Sequence, residues 1–123
     1  MYVQGFVIPV PEANKDAYRD VAEKFWEIAR DCGARSQIEC WEADVPDGEV
    51  TDFRRAVHAE NGEKIVFSWV TWDSKEDADA GHEKMMTDPR MAENFGAPDG
   101  SDMPFDGKRM IFGAFEPLVW QEA

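Results

Sequence analysis

Apolar and polar positions change period along this chain, and each change marks an element. Over residues 2–10, Tyr2, Phe6, Ile8 and Val10 alternate with Val3 and Val7, a period of two that predicts a strand ended by Pro9 and Pro11. Asn14 is the expected N-cap of a helix. Tyr18, Val21, Ala22, Phe25, Ile28, Ala29 and Cys32 recur at three- and four-residue steps, which predicts one apolar stripe on that helix over about five turns, with Gly33 just past its end.

Residues 36–45 read as a second strand with Ile38, Cys40 and Trp41 as its apolar points, broken by Pro46-Asp47-Gly48. Thr51 is placed to cap a short helix carrying Phe53, Ala56 and Val57, although Phe53, Arg55 and Val57 also alternate like a strand. Residues 64–72 are β-branched and aromatic throughout and form the clearest strand. Ser74 with Asp77 resembles a capping box, and Ala78, Gly81, His82 and Met85 make the stripe of the helix behind it. Asp88-Pro89 restarts a helical turn with Met91 and Phe95, residues 96–107 form a Gly- and Pro-rich loop, and Asp106-Gly107 leads into a last strand over 108–120. Strand, helix, strand thus occurs twice. The expected fold is α+β, a single ferredoxin-like domain over 1–123 with a four-stranded antiparallel sheet and its helices on one face.

Two helices cover only one face of such a sheet, and a strand with one wet face should alternate apolar and polar residues. Here Ile65, Phe67 and Trp69 oppose Val66, Val70 and Trp72, while Met110, Phe112, Leu118 and Trp120 oppose Ile111, Phe115 and Val119. Both faces are greasy. The expected cover is a second copy in a homodimer, burying roughly 800 Å² per chain. The alternative is that residues 46–62 and 96–107 fold back as a lid.

Charge narrows the partners. Against 26 acidic residues stand 13 basic ones, a net charge of −13 that argues against nucleic acid and anionic membrane alike. The opening residues carry no basic leader, and no stretch approaches the length of a membrane helix. Cys32 and Cys40 fit no zinc or redox spacing, so reduced thiols and a cytoplasmic home are expected, with no metal and no cofactor.

Several stretches carry a family resemblance: Tyr2-Val3-Gln4-Gly5-Phe6-Val7, Glu39-Cys40-Trp41, Asp44-Val45-Pro46-Asp47-Gly48, Thr51-Asp52-Phe53 with Ala56-Val57, and Val66-Phe67-Ser68-Trp69. Two more are specific: Met85-Met86-Thr87-Asp88-Pro89-Arg90-Met91, and Met103-Pro104-Phe105-Asp106-Gly107-Lys108-Arg109-Met110-Ile111-Phe112-Gly113. With them the chain strongly resembles the YbaA-like bacterial family of unknown function, placed among dimeric α/β-barrel proteins. The resemblance implies the ferredoxin-like fold and a dimer, but no established activity. The Gly-Ala-Pro-Asp-Gly-Ser stretch at 96–101 departs from the family pattern.

Candidate chemistry is sparse. Glu39 shares a strand face with Trp41, and a carboxyl beside an indole in a desolvated site can act as acid or base; the plainer reading is a strand-edge glutamate paired to an arginine or to solvent. His82 is the other catalytic candidate, against the plainer reading of a hydrogen-bonded core histidine, while His58 is expected on the surface. Asp106 belongs to its turn, and Arg109, among apolar neighbours, needs an anionic ligand or a carboxylate such as Asp52 or Glu39. Trp41, Trp69, Trp72, Phe67 and Met85 are candidate lining for an apolar pocket, or simply core.

Two functions are expected on these grounds. The first is a small-molecule binding protein or cofactor-independent enzyme with its site between helices and sheet. In the wider superfamily that cleft hosts oxygenation, isomerisation or dehalogenation of small organic substrates, and loop 96–107 would serve as its lid. The second is a non-enzymatic acidic dimer that docks a protein partner through the charged helix faces.

Overall fold

The computed structural model describes residues 1–97 and 99–123. Pro98, one of the prolines of the expected loop, lies outside the described residues. The elements in chain order are β1 (Tyr2–Pro11), α1 (Lys15–Asp31), β2 (Ser36–Trp41), α2 (Phe53–Ala56), β3 (Glu63–Trp72), α3 (Lys75–Met86), α4 (Pro89–Phe95) and β4 (Ile111–Phe115). The strands form one antiparallel sheet in the order β2-β3-β1-β4, the ferredoxin-like arrangement expected from the twofold strand–helix–strand order.

Boundaries differ where pairing partners run out. β1 does not stop at Pro9 but runs to Pro11, paired with β3 throughout. Only Val3 to Val7 also pair with β4, so the side of β1 where the two prolines lack an N–H has no strand to serve. The same register shortens the last strand. Phe115 already faces Val3, leaving β1 almost no residues for 116–120, so the expected strand over 108–120 shrinks to five residues. Leu118, Val119 and Trp120 consequently lie exposed. β2 ends at Trp41 rather than Val45, because the Glu42 carboxylate turns back to accept from Ile65 N–H at 2.9 Å and to pair with Arg54.

Capping obeys short-range chemistry. Ser74 accepts from Asp77 N–H, and Asp88 accepts from Arg90 N–H with Pro89 in the first turn. Asp52, not Thr51, caps α2. Asn14 sits at the cap of α1, but its side chain donates to the Pro104 carbonyl at 3.0 Å instead. Gly33 lies just past α1 with φ +110°, a backbone angle that side chains resist.

Side chains of Tyr2, Gln4, Phe6, Ile8, Gln37, Glu39, Trp41, Val66, Ser68, Val70 and Trp72 share the helix-covered face, as the registers require. One core cluster joins Ile28, Ala29, Cys32, Val70, Trp72, Ala78 and Met85; another joins Ile8, Val10, Tyr18 and Val66. On the opposite face Ile38, Phe67, Ile111 and Phe115 remain 40%, 45%, 44% and 63% exposed. The alternative cover, a lid from 46–62 and 96–107, leaves these four side chains exposed. From 46–62 Phe53 packs edge-on to Phe67 at 6.1 Å, and Ile65 on the same face is only 2% exposed, while Phe105 of the other segment packs on Tyr18 on the helix side. No helix among the described residues is long and apolar enough to cross a membrane.

Candidate functional site

Between α1, α4 and the sheet lies a cavity of about 720 Å³. Its walls are mostly apolar: Phe6 and Ile8 from β1, Val21, Ala22 and Phe25 from α1, Met91 and Phe95 from α4, and Met103 and Phe105 from the segment before β4. Besides Asp88 at the start of α4, four polar side chains interrupt this lining: Tyr18, Gln37, Glu39 and Ser68. They meet because the α1 stripe turns Tyr18 toward the sheet, while strand alternation sends Gln37, Glu39 and Ser68 toward the helices.

Glu39 is the centre of the group. The Tyr18 hydroxyl donates to its Oε1, and Gln37 Nε2 donates to its Oε2 at 3.3 Å. Burial in the apolar cavity pushes the Glu39 carboxyl above the ordinary glutamate range, and the hydrogen bonds from Tyr18, Gln37 and Ser68 only partly offset this. Burial, and after it the neighbouring Glu39 charge and the shared hydrogen bond, raises the Tyr18 phenol as well, so Tyr18 stays protonated and donates. Gln37 Nε2 also donates to the Ala22 carbonyl at 3.1 Å, whereas Gln37 Oε1 is buried with no partner among the described residues. A carboxyl raised above its ordinary range and an oriented phenol together can bind a polar group on an otherwise apolar molecule and move a proton.

A strap closes one end of the cavity. Phe105 packs edge-on against Tyr18 with ring centroids 5.7 Å apart, and Asn14 holds Pro104. Arg109 anchors the strap: its guanidinium bonds both Glu63 oxygens at 2.6 and 2.7 Å, Asp106 at 3.1 Å and the His58 carbonyl at 2.9 Å. Arg109 is therefore tied to Glu63 rather than to Asp52 or Glu39, and it lines neither this cavity nor a ligand-sized space beside Glu39. The Arg109 hydrogen bonds outweigh the upward push of burial and hold the Glu63 carboxyl below its usual range.

The other sequence candidates scatter. Trp41 shares a sheet face with Glu39, but its ring lines an outer groove where Lys15 Nζ sits 5.3 Å from its centroid. Trp69 is on the opposite, bare face beside Phe67, because period-two alternation separates it from Ser68 and Val70. Met85 and Trp72 are core. His82 is half-buried and hydrogen-bonded beside the core: Gln4 Nε2 donates to its Nε2 at 3.2 Å, Gln4 Oε1 accepts from Trp72 Nε1 at 2.9 Å, and the His82 and Trp72 rings pack edge to face. His58 is exposed, as expected.

Tyr18 and Gln37 lie in no motif, and Ser68, though within Val66-Phe67-Ser68-Trp69, carries no chemical signature there. Their signal is their company: a buried hydroxyl on an apolar helix stripe, and polar residues on strand faces otherwise directed at the core. Such groups need partners.

Comparison with known proteins places the chain. The profile of a family described as a protein of unknown function, DUF1428, matches residues 1–107. The chain belongs to this family. It is 54% identical over 118 residues to the uncharacterized protein YbaA of Escherichia coli K12, covering 96% of this chain and 97% of that one, and equally similar to YbaA of Shigella flexneri. Among solved structures, protein Atu4242 from Agrobacterium tumefaciens superimposes with a TM-score of 0.58 at 14% identity, over 95% of this chain and 93% of that one. An uncharacterized NIPSNAP domain protein from Burkholderia xenovorans gives 0.57 at 12% identity, over the whole of both chains. These two share the fold. The family has no established activity.

Proposed function

We propose that this protein binds a small, mainly apolar organic molecule between its helices and sheet and exchanges a proton with it through Glu39. One observation carries the reading: a half-buried carboxyl, oriented by the Tyr18 hydroxyl and raised by burial, in a cavity of about 720 Å³ whose lining is mostly apolar. In its ionised form Glu39 takes a proton from an acidic C–H or O–H of the ligand, whose electron pair stays on the ligand. Returning the proton restores the carboxylate, and no electrons change hands. Incubation with a small aryl ketone such as 2-tetralone in D2O tests this by NMR. Exchange of the α-protons faster than in buffer, lost in Glu39→Gln, is the expected result. Exchange at the buffer rate, or unaffected by the substitution, contradicts it.

The working form is a homodimer in the cytoplasm. The bare sheet face supports the second copy, since Ile38, Phe67, Ile111 and Phe115 lie together on it, and the free thiols of Cys32 and Cys40 support the location. Sedimentation equilibrium should give twice the 14.0 kDa chain mass, and Phe67→Glu should halve it. A wild-type chain that stays at the single-chain mass when concentrated rules the dimer out. Docking of a basic partner on the acidic helices has less support, because Asp20, Asp31 and Asp79 are already engaged by Lys24, Arg90 and Lys75.

A further inference from the structure

Five acidic side chains among the described residues are partly or fully buried: Glu39, Glu42, Asp52, Glu63 and Asp88. Four of them each have an arginine: Glu42 pairs with Arg54, Asp52 with Arg55 at 3.1 Å, Glu63 with Arg109 at 2.6 Å and Asp88 with Arg90 at 2.8 Å. Glu39 is the exception. Its donors are the Tyr18 hydroxyl and the Gln37 amide, both neutral. No Lys, Arg or His nitrogen among the described residues lies within ion-pair distance of it. A carboxylate taken out of water is costly unless a cation and hydrogen bonds replace that water. The fold supplies the cation at four places and leaves it out at one, on the wall of the inner cavity.

The cavity itself suits a cation. Its lining among the described residues includes Glu39 and Asp88 and no Lys, Arg or His. Asp88 is already engaged by Arg90, which holds its carboxyl below the usual range, so one carboxyl on these walls is left uncompensated. Phe6, Phe25, Phe95 and Phe105 contribute aromatic rings to the same walls, and such rings attract an organic cation. A carboxylate offers about four acceptor positions, and Tyr18, Gln37 and Ser68 fill at most three of them at Glu39. The net charge of −13 also draws cations toward the chain as a whole. We propose that the ligand is a primary organic amine: an apolar ring system in the inner cavity, with its ammonium nitrogen on the Glu39 carboxylate in the role that arginine fills at the other four. An amine that enters neutral takes the Glu39 proton on its nitrogen lone pair, the carboxyl O–H bond breaking as the N–H bond forms. One that enters as ammonium meets the ionised carboxyl. The inference rests on the reading of the inner cavity as a ligand site and names the ligand's polar group.

Three compounds of one bicyclic skeleton test it: 2-aminotetralin, 2-tetralol and tetralin-2-carboxylate, which are cationic, uncharged and anionic at neutral pH. Titration of the full chain, followed by NMR at the ε-methyl groups of Met91 and Met103 in the cavity wall, reads affinity and location together. The amine should bind about tenfold more tightly than the alcohol, the contribution of one charge-assisted contact to a half-buried carboxylate, and the acid more weakly than either. Glu39→Gln should bring the amine down to the affinity of the alcohol. In the unsubstituted chain, saturation with the amine should lower the titration midpoint of the Glu39 carboxyl, and saturation with the alcohol should not. The other titratable groups of the lining do not interfere, since Tyr18 stays protonated and Asp88 ionised where Glu39 titrates. Lys15 and Arg19 stand on the far, groove side of Glu39 and are common to both titrations. Equal affinity for amine and alcohol, a preference that survives Glu39→Gln, or a midpoint the amine does not move overturns the amine site while the cavity reading stands. Compounds that bind without shifting Met91 or Met103, or a failure of all three to bind, overturn both.

Discussion

Arg109 offers the sharpest test of how the strap beside the cavity is held. Its guanidinium makes two short bonds to Glu63, whose side chain is 7% exposed, while Arg109 itself is 18% exposed. In Arg109→Ala the Glu63 carboxylate stays buried, with the Glu60 N–H at 2.6 Å as its remaining donor. Breaking a fully buried ion pair by removing one partner costs about 3–5 kcal/mol. The surviving N–H and the partial exposure of the pair bring the expected loss to about 2–3 kcal/mol, or about 10 °C in Tm for a chain of this size. Urea unfolding at a fixed protein concentration measures it, since a dimer would make stability concentration-dependent. The gap should also depend on pH. A carboxylate held low in the folded state contributes stability above its unfolded value and loses it as pH falls, so wild type and variant should converge below about pH 4. Replacing both partners, Glu63→Gln with Arg109→Met, should recover part of the loss, because no buried charge is then left alone. A single-substitution loss below about 1 kcal/mol at neutral pH, or a gap that stays undiminished as pH falls from 7 to well below 4, would refute the clamp.

Two further expectations concern packing and the site. Gly81→Ala should destabilise by about 1–2 kcal/mol although alanine favours helices, because the new methyl would lie 2.7 Å from the Cys32 carbonyl oxygen and against the Trp72 indole; a rise in Tm would contradict that packing. Glu39 is the opposite case to Glu63: held high in the folded state, it favours folding most below the ordinary glutamate value and loses that advantage as pH rises. Glu39→Gln should therefore gain on wild type between pH 4 and neutrality in paired thermal melts, and a pH-independent difference would count against the desolvated carboxyl.

Periodicity exposed most of the fold because the elements are locally consistent. The stripe from Tyr18 to Cys32 and the β-branched run of β3 each admit one regular structure, and the Ser74 and Asp88 caps announce themselves. What periodicity could not locate was the end of β4, which is decided by where β1 runs out of partners and not by residues 116–120 themselves. The site divides in the same way. Glu39 was legible as a carboxyl on an apolar strand face, but Tyr18 as its partner depends on how α1 lies across the sheet, a tertiary fact. Trp69 and Arg109 misled for related reasons. Residue type marked both as interesting, while strand parity put one on the far face and Glu63, 46 residues away, claimed the other.

Everything proposed for the cavity depends on the protonation of Glu39. Titration of its side-chain carboxyl carbon by NMR, assigned through Glu39→Gln, reads that state directly. A midpoint clearly above the ordinary glutamate value near 4.5 is expected in the free protein. A midpoint at or below that value would mean the carboxyl is solvated or paired like any surface glutamate, and the proton-exchanging site would not exist.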